Sequence, residues 1–339
     1  MLKRMMAGAA CLLLFWMGGC AFLKGGEGPE YILTYAENHP ESYPTTKGGL
    51  LFASLVEERS QGRICIEMYA GGKLGDEESL WEQLKLGGID FARVSLSPLA
   101  QDIPELDILF LPYLYRDREH MWEVLDGPVG AGFLERFEEA GAVGLSWYDG
   151  GSRNFYNRLH PISAPEDMKG LKIRIQDSDM MEALVYALGA EPVREPFSQV
   201  YSDLETGKID GAENNWASYE SSGHYRVAGY YTVDSHSRVP EVQLASASTW
   251  NQLSEEDQEL ILQCARESAL YQRNLWQAYQ REAMAKVIRA GCQVAELTED
   301  ESRAFQEAVG PVYEQYGASY EGLIRRIRET GREEGAGDT

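Results

Sequence analysis

Two distant stretches of this 339-residue chain are built alike. "LKLGGIDFARVS" at 84–95 and "LETGKIDGAENN" at 204–215 each read as a helix end, a glycine, then Ile-Asp entering a short strand, at identical spacing. A helix stopped at glycine that sends a strand inward is a joint of an α/β unit. Meeting the joint twice predicts two similarly built lobes facing each other. Length agrees, because a chain of about 320 residues after loss of a leader exceeds what one core comfortably holds.

Periodicity fills in both lobes. In the first, "YILTYAENHP", "RICIEMY" and "IDFARVS" read as strands, with the helices "GGLLFASLVEERSQG" and "LWEQLKLGG" between them. "ILFLPYLY" is a buried apolar run, "REHMWEVLDG" and "AGFLERFEEAG" are helices, and "AVGLSWYDGG" is a strand. The second set starts near Ser152 with "RNFYN" and the strand "GLKIRIQ". Helices "MMEALVYALGA" and "SQVYSDLETG" and the strand "KIDGAENN" complete it. From Ser254 apolar residues recur at helical spacing through Ile288 to a stop at Gly291, with no internal glycine or proline. No heptad seam is sustained, so a single helix bridging both lobes fits better than a coiled coil.

The N-terminus reads as a secretion leader. "MLKR" is a basic start and "MMAGAACLLLFWM" an apolar stretch too short for a stable span. The "MGGC" that follows resembles a lipoprotein cleavage box with Met17 in the usual leucine place, which would put a lipid on Cys20. Residues 21–30 then read as a flexible tether and the tail from 329 as disordered.

Charge excludes one class of partner. The chain carries 54 acidic against 31 basic side chains, a net −23 that becomes −25 when Lys3 and Arg4 leave with the leader. With no basic stripe, nucleic acid is not expected. Catalytic constellations are missing as well: there is no GxSxG, HExxH, phosphate loop or GxGxxG, and the histidines lack metal spacing. Cys65, Cys264 and Cys292 form no CxxC, so neither a zinc site nor a disulfide framework is indicated. Neither catalysis nor a cofactor is expected.

Polar residues at strand and turn ends stand out instead. Arg153 and Asn154 open the second lobe, Arg174 lies on its strand, and Asn214 follows Glu213. In the first lobe His39 follows the opening strand, Glu77 the Gly-rich turn, and Ser95 ends "IDFARVS". Open α/β sheets bind ligands beyond the carboxyl ends of their strands, and arginines converging there suit a carboxylate. Periodicity alone leaves Arg174 as either a solvated strand residue or an anion ligand, and places Lys172 and Gln176 on its face as ordinary solvated residues.

The ordered set "GRICIEMYAGGKLGDE", "LPYLYRDREH", "SRNFYN", "PEDMKGLKIRIQ", "LGAEPVREPFSQVYSDLETGKIDGAENN" and "HSRVPEV" resembles the solute-binding proteins of TRAP transporters, the DctP-type family. It spans about residues 31–325 and is most specific from Met168 to Asn214. The resemblance implies an α/β, two-lobe, periplasmic-binding-protein-like fold, each lobe a sheet flanked by helices. The first lobe would hold 31–150 and about 240–278, the second 151–239 and about 279–328. It implies an extracytoplasmic protein that closes on an organic acid and delivers it to TRAP membrane subunits. Arg174 would be the carboxylate clamp, Arg153 its assistant, Asn214 a hydrogen-bonding partner and Phe197 the packing aromatic. "HP", "RNFYN" and "ENN" are similar to the subgroup that binds sugar acids such as glucuronate or galacturonate, where His39, Glu77 and Ser95 would meet hydroxyls. Asn154, Trp216, which stands where proline is common, and His236 of "HSRVPEV" complete the expected site. Another carboxylate (a C4-dicarboxylate, sialic acid or a 2-oxo acid) and a secreted uronide-active enzyme are the alternatives.

Overall fold

In the computed structural model, which describes residues 28–332, the strands are Tyr31–Ala36 (β1), Ile64–Tyr69 (β2), Phe91–Ser95 (β3), Ala142–Tyr148 (β4), Ser152–Asn157 (β5), Lys172–Ile175 (β6), Glu191–Arg194 (β7), Gly211–Asn214 (β8), Tyr230–Val233 (β9), Ser237–Arg238 (β10), Glu241–Ser246 (β11) and Gln293–Glu296 (β12). They form two sheets. One has the order β2-β1-β3-β11-β4, and the other runs β12-β9-β5-β8-β6-β7 with β10 on β5. β1, β2 and β3 are parallel, as are β6, β7 and β8, while β11 and β5 enter their sheets antiparallel. The leader with Cys20, most of the tether and residues 333–339 lie outside the described residues.

The repeated joint is real in three dimensions. Helices Glu77–Lys85 and Val200–Thr206 both run into glycines with positive φ, 73° at Gly87 and 74° at Gly207, a region where a Cβ is unfavourable. The aspartate that follows then stitches the incoming strand to its neighbour. Asp90 Oδ2 accepts the Thr34 amide of β1 at 2.7 Å, and Asp210 Oδ2 accepts the Lys172 amide of β6 at 3.0 Å. The repeat thus delivers β3 and β8 to the middle of each sheet with their carboxyl ends toward the other lobe.

Each sheet buries apolar residues beneath helices. Phe52 and Val56 of helix Pro44–Arg59 pack with Tyr35 and Phe91, whose rings meet Phe52 at 5.9 and 5.4 Å. Tyr156, Trp216, Tyr219 and Tyr231 form the second lobe's aromatic core. The apolar run from Ile108 begins in a 3₁₀ segment, Pro104–Phe110, whose last five residues are all buried. Helix Glu255–Arg289, 35 residues and roughly 50 Å long, begins at Ser254, whose side chain accepts the Asp257 amide. It buries Ile261 and Ala265 against the first lobe and Ala283 and Val287 against the second. Cys264 is buried on it and Cys292 half-buried beyond it, both free thiols. No helix among the described residues is long and apolar enough to cross a membrane.

The C-terminus departs from the expected boundaries. Helix Glu299–Ala308 packs on the second lobe's Pro165–Met168 turn, but the chain then returns to the first lobe. Tyr313 Oη donates to the Pro112 carbonyl at 2.8 Å, and His120 Nε2 lies 2.7 Å from the Ile327 carbonyl. The tail expected from 329 does not begin at that residue. Glu329 is helical, and Arg116 donates to the Arg328 and Thr330 carbonyls at 2.9 and 3.0 Å. Amphipathic spacing marks helix Glu321–Glu329 as half-buried, but it does not say which lobe covers its apolar face.

Candidate functional site

The carboxyl ends of the parallel strands in both sheets face one cleft, and most of the expected site residues converge there. Arg174, on β6, is 3 % exposed. Its Nε donates to the Glu195 carbonyl at 2.8 Å, and its two terminal nitrogens make no hydrogen bond among the described residues. Burial lowers its pKa, Arg153 adds to that, and Glu213, Tyr156 and Glu78 only partly oppose it. A buried guanidinium fixed through Nε, with its fork open, is short of an anion.

Arg153 is differently placed. Its Nη2 donates to Glu213 Oε1 at 2.7 Å and to the Glu213 carbonyl at 2.9 Å, and its Nε pairs with Glu213 Oε2. Burial pushes Glu213 up, yet Arg153 and His236 outweigh it and hold the carboxyl at about 2. His236 stands 3.5 Å from Glu213 and 2.8 Å from Asp234, so that burial, which disfavours its cation, is overcome and its pKa rises to about 9. The line Asp234, His236, Glu213, Arg153 is therefore a buried chain of alternating charge. It leaves Arg153 one terminal nitrogen, 3.4 Å from Asn214 Oδ1.

The first lobe supplies the opposite wall. Glu77 is 8 % exposed; its Oε1 pairs with Arg93 and accepts the Ser95 amide at 3.3 Å. Its Oε2 accepts Gln176 Nε2 from the second lobe at 3.2 Å, and Ser95 Oγ reaches Gln176 Oε1 at 3.5 Å. His39 stacks on Tyr43 at 4.0 Å, lies 3.0 Å from Glu37 Oε1, and meets the Phe197 ring across the cleft at 5.8 Å. Arg93 is fully buried and pairs with Glu37, Glu77 and Glu241.

Arg174, Arg153, Asn214, Phe197, Glu77, His39 and Ser95 thus share the cleft, and three expected residues do not. Asn154 is buried, and its Oδ1 accepts the Ser235 amide at 2.9 Å, pinning a turn where Ser235 has φ 47°. Trp216 lies in the aromatic core, stacked on Tyr231 at 3.8 Å, because helix Trp216–Ser221 turns its first side chain inward. His236 is fully buried behind Glu213 and stacks on Phe155 at 4.2 Å. Gln176 corrects the sequence reading from the other direction. It is buried in the cleft, whereas Lys172 on the same face is exposed as expected.

Arg93, Glu37, Glu241 and Gln176 are the cleft residues that sequence reasoning missed. Signals for two of them existed. Phe91, Arg93 and Ser95 share a face by the period of a strand, so naming Ser95 should have named Arg93, and Gln176 shares Arg174's face. Glu37 and Glu241 carry no local signal in so acidic a chain.

Comparison with known proteins bears on the fold and the family. The model of the bacterial extracellular solute-binding protein family 7, DctP, matches residues 35–319. A solute-binding protein of Chromohalobacter salexigens is 36% identical over 278 residues, 82% of this chain and 82% of that protein. A TRAP periplasmic solute-binding protein from Bradyrhizobium sp. BTAi1, solved with α/β-D-galacturonate, superimposes with a TM-score of 0.85 at 39% identity, covering 88% of this chain and 99% of that one. One from Pseudomonas putida F1, solved with D-glucuronate, has a TM-score of 0.86 at 34% identity, covering 89% and 98%. The chain belongs to the DctP family, the extracytoplasmic solute-binding proteins that serve TRAP transporters.

Proposed function

We propose that this protein captures a hexuronate of the glucuronate or galacturonate class and hands it, chemically unchanged, to TRAP membrane subunits. The observation that carries the reading is the open fork of buried Arg174 opposite a first-lobe wall rich in carboxylates. The ligand carboxylate sits on Arg174, with the remaining Arg153 nitrogen and Asn214 beside it. Its hydroxyls donate to Glu77 and meet His39 and Ser95, and Phe197 packs on the ring. Proteins of the same fold solved with galacturonate and D-glucuronate support the ligand class. A ligand touching both walls favours the closed arrangement because only that arrangement makes both sets of contacts. A lipid on Cys20 keeps the protein at the outer face of the membrane, which intact-mass measurement of the mature protein tests.

The test of function is a thermal-shift screen of glucuronate, galacturonate, aldonates, sialic acid, C4-dicarboxylates and 2-oxo acids. A ligand at 100 times its Kd stabilises by about 2.7 kcal/mol. The uronates are expected to give the largest shifts, and proton NMR over hours is expected to show them intact. A larger shift from a C4-dicarboxylate or a 2-oxo acid overturns the ligand class, and turnover overturns the transport role.

A further inference from the structure

The two walls of the cleft carry opposite charge. On the second lobe Arg153 and Arg174 stand against Glu213 alone, because His236 and Asp234 offset each other behind it. That leaves room for one anionic group. On the first lobe Arg93 is the single guanidinium among Glu37, Glu77 and Glu241. Glu78, the next residue after Glu77, is half-buried and faces Arg174 rather than Arg93. One carboxylate would satisfy Arg93, and burying further carboxylates is unfavourable to folding. The field they generate is felt by the cluster itself. Burial raises the pKa of Glu241, Glu77 and Glu37 raise it further, and Arg93 and His39 oppose them.

We infer that the Glu37–Glu77–Glu241 cluster around Arg93 is a charge filter that admits ligands with a single carboxylate and rejects dicarboxylates. A hydroxyl at the first-lobe end carries a proton to donate to the partly exposed carboxylates of Glu77 and Glu241, while Glu37 lies fully buried behind them. A second carboxylate there has none, and it meets like charge in a site that closure shields from water. Arg93 does not rescue it, since its nitrogens are already engaged by the glutamates and by Asn38. The excess acid is in this way a device of selection, directed against aldarates and C4-dicarboxylates that share the first carboxylate and would otherwise dock on Arg174.

The inference rests on the hexuronate reading, and the experiment separates the two. Isothermal titration compares galacturonate with galactarate, and glucuronate with glucarate, on the wild type and on Glu241→Gln and Glu77→Gln, each variant checked for folding by thermal melt. The wild type is expected to prefer each uronate by about 100-fold or more, since opposing like charges at a binding surface is strongly unfavourable. At least one variant is expected to narrow that preference about tenfold, by gaining affinity for the aldarate and not merely by losing the uronate. Wild-type affinities within tenfold of each other, or an unchanged preference in every folded variant, overturn the filter. If the uronates fail but another monocarboxylate binds, the hexuronate reading falls and the filter stands. If a dicarboxylate binds in their place, or nothing does, both fall.

Discussion

Arg174→Met separates ligand capture from folding. The methionine fills much of the arginine stem's volume and removes the charge. In the present fold that charge is buried, held at Nε by one carbonyl, and disfavoured by burial and by Arg153. Losing it leaves the ligand carboxylate in the closed cleft with Asn214 and the Arg153 nitrogen that Glu213 does not occupy. Truncating one partner of a buried charge-assisted pair weakens binding by about 2–5 kcal/mol, or roughly 30-fold to several thousand-fold in Kd. The unliganded protein should respond in the opposite sense. An unpaired buried polar group is unfavourable by about 1–3 kcal/mol, so its removal leaves stability unchanged or raises it. Titration calorimetry with galacturonate and urea denaturation of the unliganded protein measure the two effects. Arg174→Lys should also bind poorly, because an ammonium does not reproduce the fork. A methionine variant that binds within threefold of wild type, or that loses several kcal/mol of unliganded stability, would refute the assignment of Arg174 as an anion-deficient clamp.

Arg153→Ala should behave in reverse, as a folding defect first. It strands Glu213 in the core, and breaking a buried pair from one side destabilises by about 3–5 kcal/mol, which urea denaturation reads; an unchanged midpoint would contradict the buried chain of charges. His236 predicts a pH dependence. Its folded value of about 9 lies above the ordinary 6.5, so its contribution is complete below about 6.5 and is lost as pH rises through 9. Glu213, held at about 2 from an ordinary 4.5, contributes above 4.5 and loses that contribution as pH falls through 2. His236→Asn should flatten the decline in stability between pH 6.5 and 9, and parallel wild-type and variant curves would exclude the pairing.

Sequence alone determined the parts whose signals are local. The joint at 84–95 and 204–215 foretold two lobes because its glycine acts locally, through a positive φ, although the bond its aspartate makes to the adjacent strand is long-range. An uninterrupted helical period foretold helix Glu255–Arg289, and strand alternation with a family motif singled out Arg174. Tertiary structure decided which charges meet. Arg153 and Arg174 look equivalent along the chain, but Glu213 neutralises the first and leaves the second open. Arg93 gathers glutamates from the ends of β1 and β11 and from the start of helix Glu77–Lys85, segments brought together only when β11 inserts between β3 and β4. Trp216 reads as a pocket residue by position and is core by the direction its helix faces. The physical reason is the same in each case. Periodicity reports which face a side chain takes, whereas ion pairing and burial depend on partners that only the folded chain places within reach.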